Sequence, residues 1–127
     1  ENINSITYKV IEACIEVHKE LGPGLLESVY EICLCKELIN RNLKIAVQKE
    51  IVVIYKGEAL QKSFYLDILV EDRLALELKA VDYILPVHEA QLITYLKLAN
   101  IDDGLLINFN TALVKNGIKR LFRNNDR

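Results

Sequence analysis

Between Ser5 and Leu21 the apolar residues Val10, Cys14, Val17 and Leu21 recur at intervals of three and four, the stripe of an amphipathic helix. Gly22 and Pro23 end it, because glycine accepts the left-handed conformation past a helix terminus and proline cannot continue the helix. A second helix is predicted from Leu25 to about Arg41. It carries Leu26, Val29, Ile32, Cys33, Leu38 and Ile39 over so wide an apolar surface that cover on more than one side is expected. From Leu43 the spacing shortens to that of a strand: "IAVQKEIVVIY" is followed by a turn at Lys56 to Glu58 and a second strand to about Val70. "EDR" turns the chain again and "LALELKA" reads as the third strand. After Pro86, "VHEAQLITYLKLAN" returns to helical spacing, and "GLLINF" and "GIKRLF" read as two short strands. The order α, α, β, β, β, α, β, β predicts an α/β fold whose central mixed sheet begins as an antiparallel meander and is flanked by helices.

At 127 residues and 51% hydrophobic content, the chain can bury most of its unfolded surface in one core, so a single domain over residues 1–127 is expected. A formal net charge of -2 excludes a global pull toward nucleic acid or an anionic membrane, and any anionic substrate must be met by local charge. The longest apolar runs, such as "IVVIY", fall far short of the roughly twenty residues of a bilayer span, so a soluble protein with no membrane association is expected. No basic-then-apolar leader opens the chain. Its three cysteines are odd in number, and a cytoplasmic setting with reduced thiols accounts for them. Cys33 and Cys35 lack the C-x-x-C or histidine pair that would complete a zinc site.

Three charges interrupt the strand pattern. Leu66, Ile68 and Val70 share one face of the second strand, as do Leu74, Leu76 and Leu78 on the third. The antiparallel register then pairs Leu66 with Leu78, Ile68 with Leu76 and Val70 with Leu74, closing the hairpin over Glu71 to Arg73. This sets Asp67 opposite Glu77, with Lys79 one step along the same face. Two carboxylates about 5 Å apart at Cβ repel each other unless a cation fills the gap. Mg²⁺ suits such oxygens and keeps positions for water and phosphate, while a lysine beside it can orient water or offset charge on a phosphate. For any one of these residues a solvated sheet face is an adequate account; the three together favour a site.

Asp67 followed by Glu77-x-Lys79 on the next strand resembles the D…(D/E)-x-K signature of the PD-(D/E)xK nuclease superfamily. "GLLESVY" matches, at Gly24, Glu27 and Tyr30, the G-x-x-E-x-x-Y motif of a bacterial GxxExxY family within it. "QLITY" fits the Q-x-x-x-Y motif of the RecB-like branch at Gln91 and Tyr95. The resemblance runs over nearly the whole chain, from "EVHKELGPGLLESVYE" to "GLLINF", and motifs that are loose singly become specific in this order. It departs at Tyr65, where the family commonly carries a basic residue.

The resemblance implies a restriction-endonuclease-like fold and an Mg²⁺-dependent nuclease, with Mn²⁺ as the alternative ion, hydrolysing DNA, with RNA as the less favoured substrate. The competing implication is an inactive module of the same fold that binds nucleic acid or a protein partner. By the same resemblance Asp67 and Glu77, with the carbonyl of Leu78, would hold the metal, and Lys79 would serve the attacking water. Glu27 would join the metal directly or through water, Gln91 would orient the site, and Tyr95 would touch the nucleic-acid backbone. Glu27 has a second account as an acid in a first helical turn, favoured by the helix dipole by about 0.3–1 kcal/mol. Gln91 and Tyr95 can likewise be read as packing residues, and His88, His18 and the cysteines as structural. The broad apolar surface of the second helix leaves room for a homodimer. Lys115, Lys119, Arg120, Arg123 and Arg127 crowd the end of the chain, either as a solvated strand edge or as a phosphate-tracking patch.

Overall fold

The computed structural model describes residues 1–124. Within them the chain forms α1 (Ile3–Leu21), α2 (Glu27–Asn40), β1 (Ile45–Tyr55), β2 (Glu58–Val70), β3 (Leu74–Lys79), α3 (Pro86–Ala99), β4 (Asp103–Asn108) and β5 (Ile118–Phe122), with a 3-10 turn at Val114–Gly117. This is the predicted element order. The strands lie side by side in chain order, antiparallel except for the parallel pair β3–β4, which α3 connects. α1 and α2 bury Val10, Cys14, Tyr30 and Leu34 with Ile68 and Leu76 on one face of the sheet. α3 buries Leu92 and Leu96 with Leu69, Ala75 and Leu106 on the other.

Local chemistry sets the boundaries. Asn2 caps α1 by accepting from the Ser5 amide at 2.8 Å, and Gly22, at φ 69°, closes it with an N–H bond of 2.7 Å to the His18 carbonyl. Tyr55 pairs with Glu58 across Lys56 and Gly57, which have φ of 50° and 83°. Two left-handed residues give the turn whose twist matches that of the strands it joins.

Two expectations need correction. α2 is not covered on several sides: it buries Tyr30, Leu34 and Leu38, while Leu26, Ile32 and Ile39 stand exposed. Its apolar residues are spread too widely around the axis for one sheet face to cover them. Second, Leu66 does not share a face with Ile68; it packs with Leu92 and Leu96 on the α3 side. The cause is a local break between β1 and β2. Val47 pairs with Ile68 and Lys49 with Leu66, but Gln48, at φ 50°, and Asp67 between them are not paired. An irregularity of this kind shifts the inside–outside alternation by one step, so residues on either side of it exchange faces.

Candidate functional site

The break at Gln48 and Asp67 builds the site. The β2–β3 ladder holds the expected register at Val70 with Leu74 and Ile68 with Leu76, then stops, so the expected partnership of Leu66 with Leu78 does not form. The carboxylates take over where the ladder ends. Asp67 Oδ2 accepts from the Leu78 amide at 2.8 Å, and Glu77 Oε1 accepts from the Asp67 amide at 3.2 Å. Each acid thus bonds to the backbone of the other's strand, and the two are held together despite like charge. Glu77 is only 7% exposed. Burial pushes its carboxyl up to about 7, and the charge of Asp67 adds to this; the Asp67 amide and Lys79 oppose it, and Glu27 adds a further push upward.

Lys79 is half-buried at the end of β3, paired in register with Asn108 of β4. Glu27 is the first residue of α2 and is exposed, yet its charge raises both Glu77 and Glu31. No hydrogen bond joins it to Asp67 or Glu77 among the described residues. Its position is fixed by Tyr30, whose hydroxyl donates to the Gly22 carbonyl at 2.6 Å and accepts from the Leu25 amide at 3.1 Å. The Tyr30 ring is fully buried and stacks on Phe109 at 4.5 Å, and the Phe109 amide donates to the Lys79 carbonyl at 2.9 Å. The start of α2 is thereby tied to the end of β3.

From the other face α3 presents Tyr95, whose ring stacks on Phe64 at 4.0 Å. Burial raises its pKa first, then the charges of Glu77 and Asp67, while a hydrogen bond with Gln91 lowers it. Gln91 is exposed and stands one turn before Tyr95 on α3; among the described residues it makes no direct bond to Asp67 or Glu77.

Two residues escaped the sequence reading. Gln48 Nε2 donates to Glu31 Oε1 at 2.8 Å and to Asp67 Oδ1 at 3.3 Å, joining α2 to β2. Burial raises the pKa of Glu31, Gln48 lowers it, and Asp67 and Glu27 raise it further. Glu31 stands four residues after Glu27 and so shares its helix face, a signal that was present. Gln48 gave none, because its left-handed backbone cannot be read from a run of strand-forming residues.

The donor set fits a hard divalent ion. Among the described residues no three His, Cys, Asp or Glu side chains converge to hold a metal. Mg²⁺ needs only one or two carboxylates, and the Asp67–Glu77 pair supplies two whose repulsion a cation would relieve. The histidines serve the backbone: His18 Nε2 lies 3.2 Å and 2.9 Å from the Phe109 and Thr111 carbonyls, and His88 Nδ1 accepts from the Leu85 amide at 3.0 Å. The basic residues near the end of the chain are largely engaged: Lys119 with Glu89, Arg120 with Asp103 and Arg123 with Asp102. That pairing favours the solvated edge over the phosphate-tracking patch; Arg127 lies outside the described residues. Among the described residues no helix is long and apolar enough to cross a membrane. No curated protein matches the chain. The family model of the PD-(D/E)XK nuclease superfamily matches residues 4–121, spanning both carboxylates, Lys79, α2, α3 and all of α1 but its first residue, and the chain belongs to that superfamily.

Proposed function

We propose that the protein is a divalent-ion-dependent nuclease that hydrolyses phosphodiester bonds of DNA in the cytoplasm. One observation carries the reading: the buried carboxyl of Glu77 is held against Asp67 by reciprocal bonds to the backbone, although the arrangement raises its pKa to about 7. Like charges drawn together at a cost to their own ionisation are characteristic of functional sites. Asp67 and Glu77 would hold Mg²⁺ or Mn²⁺, and Glu27, exposed at the start of α2, would act on the ion through water. When bound, the ion supplies positive charge to offset the phosphate and acidify a water. Lys79 lies two positions after Glu77 on β3 and its charge works against the burial that raises the Glu77 pKa, so its ammonium would position the attacking water or neutralise charge growing on the phosphate. Tyr95, stacked on Phe64 on the α3 side and raised in pKa by burial and then by the charges of Glu77 and Asp67, would offer its hydroxyl to a phosphate oxygen.

We assign the protein to the GxxExxY type within the superfamily. Gly24 takes a φ of 99°, in the left-handed region, in the loop that Tyr30 clamps, and Glu27 follows directly on that loop. Gln91 and Tyr95, one turn apart on α3, support the RecB-like affinity in the same way.

The test compares Lys79→Ala with Glu77→Ala. Mg²⁺ affinity is read by calorimetry, and cleavage on single-stranded, duplex and branched DNA and on RNA. Lys79→Ala should keep most of the ion affinity and lose turnover, whereas Glu77→Ala should lose both, because a carboxylate is a ligand and an ammonium is not. Full cleavage by Lys79→Ala excludes the role given to Lys79. Wild-type protein that neither binds the ion nor cleaves any substrate supports the inactive binding module instead.

A further inference from the structure

The segment between Lys79 and α3 is irregular, yet it is anchored at both ends. Asn108 is buried, and its side chain pairs with Val81 as a neighbouring strand would: Oδ1 accepts from the Val81 amide at 3.1 Å and Nδ2 donates to the Val81 carbonyl at 2.9 Å. Asn108 is also the residue paired in register with Lys79, so the segment is fixed to the end of the strand that carries the site. At the other end the Leu85 amide donates to His88 Nδ1 at 3.0 Å, and Asn110 Nδ2 donates to Asp82 Oδ1 at 3.4 Å in between. From this braced loop Tyr83 projects with 79% of its surface exposed, the highest value of any large apolar side chain described. Leu85 at 50% and Val87 at 64% stand exposed within the next four positions. Tyr83 makes no hydrogen bond or ring contact among the described residues.

Beyond Lys79 and a bound cation, the charge described around the site is more acidic than basic. The chain has a net charge of -2, Lys119, Arg120 and Arg123 are taken by acids, and Glu27, Glu31, Asp67 and Glu77 would repel phosphates. Stacking of a base on an aromatic face works regardless of that charge, and it requires a base whose own face is free. We propose that Tyr83, flanked by Leu85 and Val87, is a stacking platform for an unpaired base of the strand being cut. Single-stranded or locally unpaired nucleic acid is then the preferred substrate over intact duplex. The inference rests on the nuclease reading and names its substrate class.

The test measures binding with Ca²⁺ in place of Mg²⁺, since Ca²⁺ takes the same oxygens in a looser geometry that supports cleavage poorly. The probes are a fluorescently labelled oligothymidylate and a blunt DNA duplex of equal length. Tyr83→Leu should weaken oligothymidylate binding by about 5- to 150-fold and leave duplex binding unchanged, and Tyr83→Trp should hold or tighten the single strand. Unchanged single-strand binding by Tyr83→Leu overturns the proposal and leaves the patch to a protein partner; equal losses on both probes overturn it as well. Wild-type protein that binds neither probe overturns the nucleic-acid reading itself and this inference with it. Binding that ignores Tyr83 overturns the inference alone.

Discussion

Replacing Glu77 by glutamine tests the carboxylate pair without reference to activity. In the fold its carboxyl is raised from 4.5 to about 7, first by burial and then by the charge of Asp67. Between those values the folded protein keeps a proton that the unfolded chain has already released. The native state therefore binds more protons, and stability falls as pH rises through the window. About two and a half pH units at about 1.4 kcal/mol each amounts to about 3 kcal/mol lost in metal-free protein. Glutamine keeps the shape and can still accept from the Asp67 amide, but it does not titrate. The variant should match wild type below pH 4.5 and exceed it by about 3 kcal/mol above pH 7. Urea unfolding in a chelator, repeated across that range, reads this as a midpoint difference of about 1–3 M at ordinary denaturant sensitivities. Excess Mg²⁺ should return much of the lost stability to wild type above pH 7 and less to the variant, because the ion binds the ionised pair. Parallel pH curves for the two proteins in chelator would refute the reasoning at its base.

Tyr30→Phe removes the hydroxyl that serves the Leu25 amide and the Gly22 carbonyl, and should cost about 1–3 kcal/mol while speeding hydrogen exchange at Leu25; unchanged exchange there would count against the clamp. A Cβ at position 117 would lie 2.4 Å from the Asn108 carbonyl oxygen, whereas one at position 104 meets only the ends of Leu92 and Leu96 at 3.2 Å or more. Gly117→Ala should therefore lower the melting temperature more than Gly104→Ala, with overpacking costs of about 1–3 kcal/mol for the latter and more for the former; the reverse order would be wrong for this packing. Burial pushes the Cys14 thiol up to about 12, so it should resist alkylation at neutral pH until the protein is unfolded. Peptide mapping that finds Cys14 modified in native protein would contradict this.

The hairpin register could be read from Ile68, Val70, Leu74 and Leu76 because alternation over a regular ladder has one solution. It misled at Leu66, where the break opposite Gln48 reverses the alternation, and a left-handed glutamine leaves no mark in a row of strand-forming residues. The approach of Asp67 to Glu77 was legible for the same reason as the register, but the bonds that join them arise from the ladder's end and not from cross-strand opposition. Glu27 reached the neighbourhood through motif spacing alone. What holds it there, Tyr30 stacked on Phe109, spans two segments far apart in the chain, and local periodicity carries no information about such contacts. The surface of α2 misled in the opposite sense. Apolar count shows how much a helix could bury, while the number of faces buried depends on which neighbours arrive.

Because the strands lie in the sheet in chain order, a ribosome releases them in the order in which they stand side by side. β3 is buried along nearly its whole length, yet until α3 and β4 have emerged it has a neighbour on one side only. During that interval its outer edge is an apolar strand with open amides and carbonyls, the kind of surface that pairs with another nascent chain. The arrival of β4 closes this edge and at the same moment gives Lys79 its neighbour Asn108. Translation thus passes through a stage with an open apolar strand edge just before Lys79 gains its neighbour, and slow synthesis across residues 86–108 would prolong that exposure.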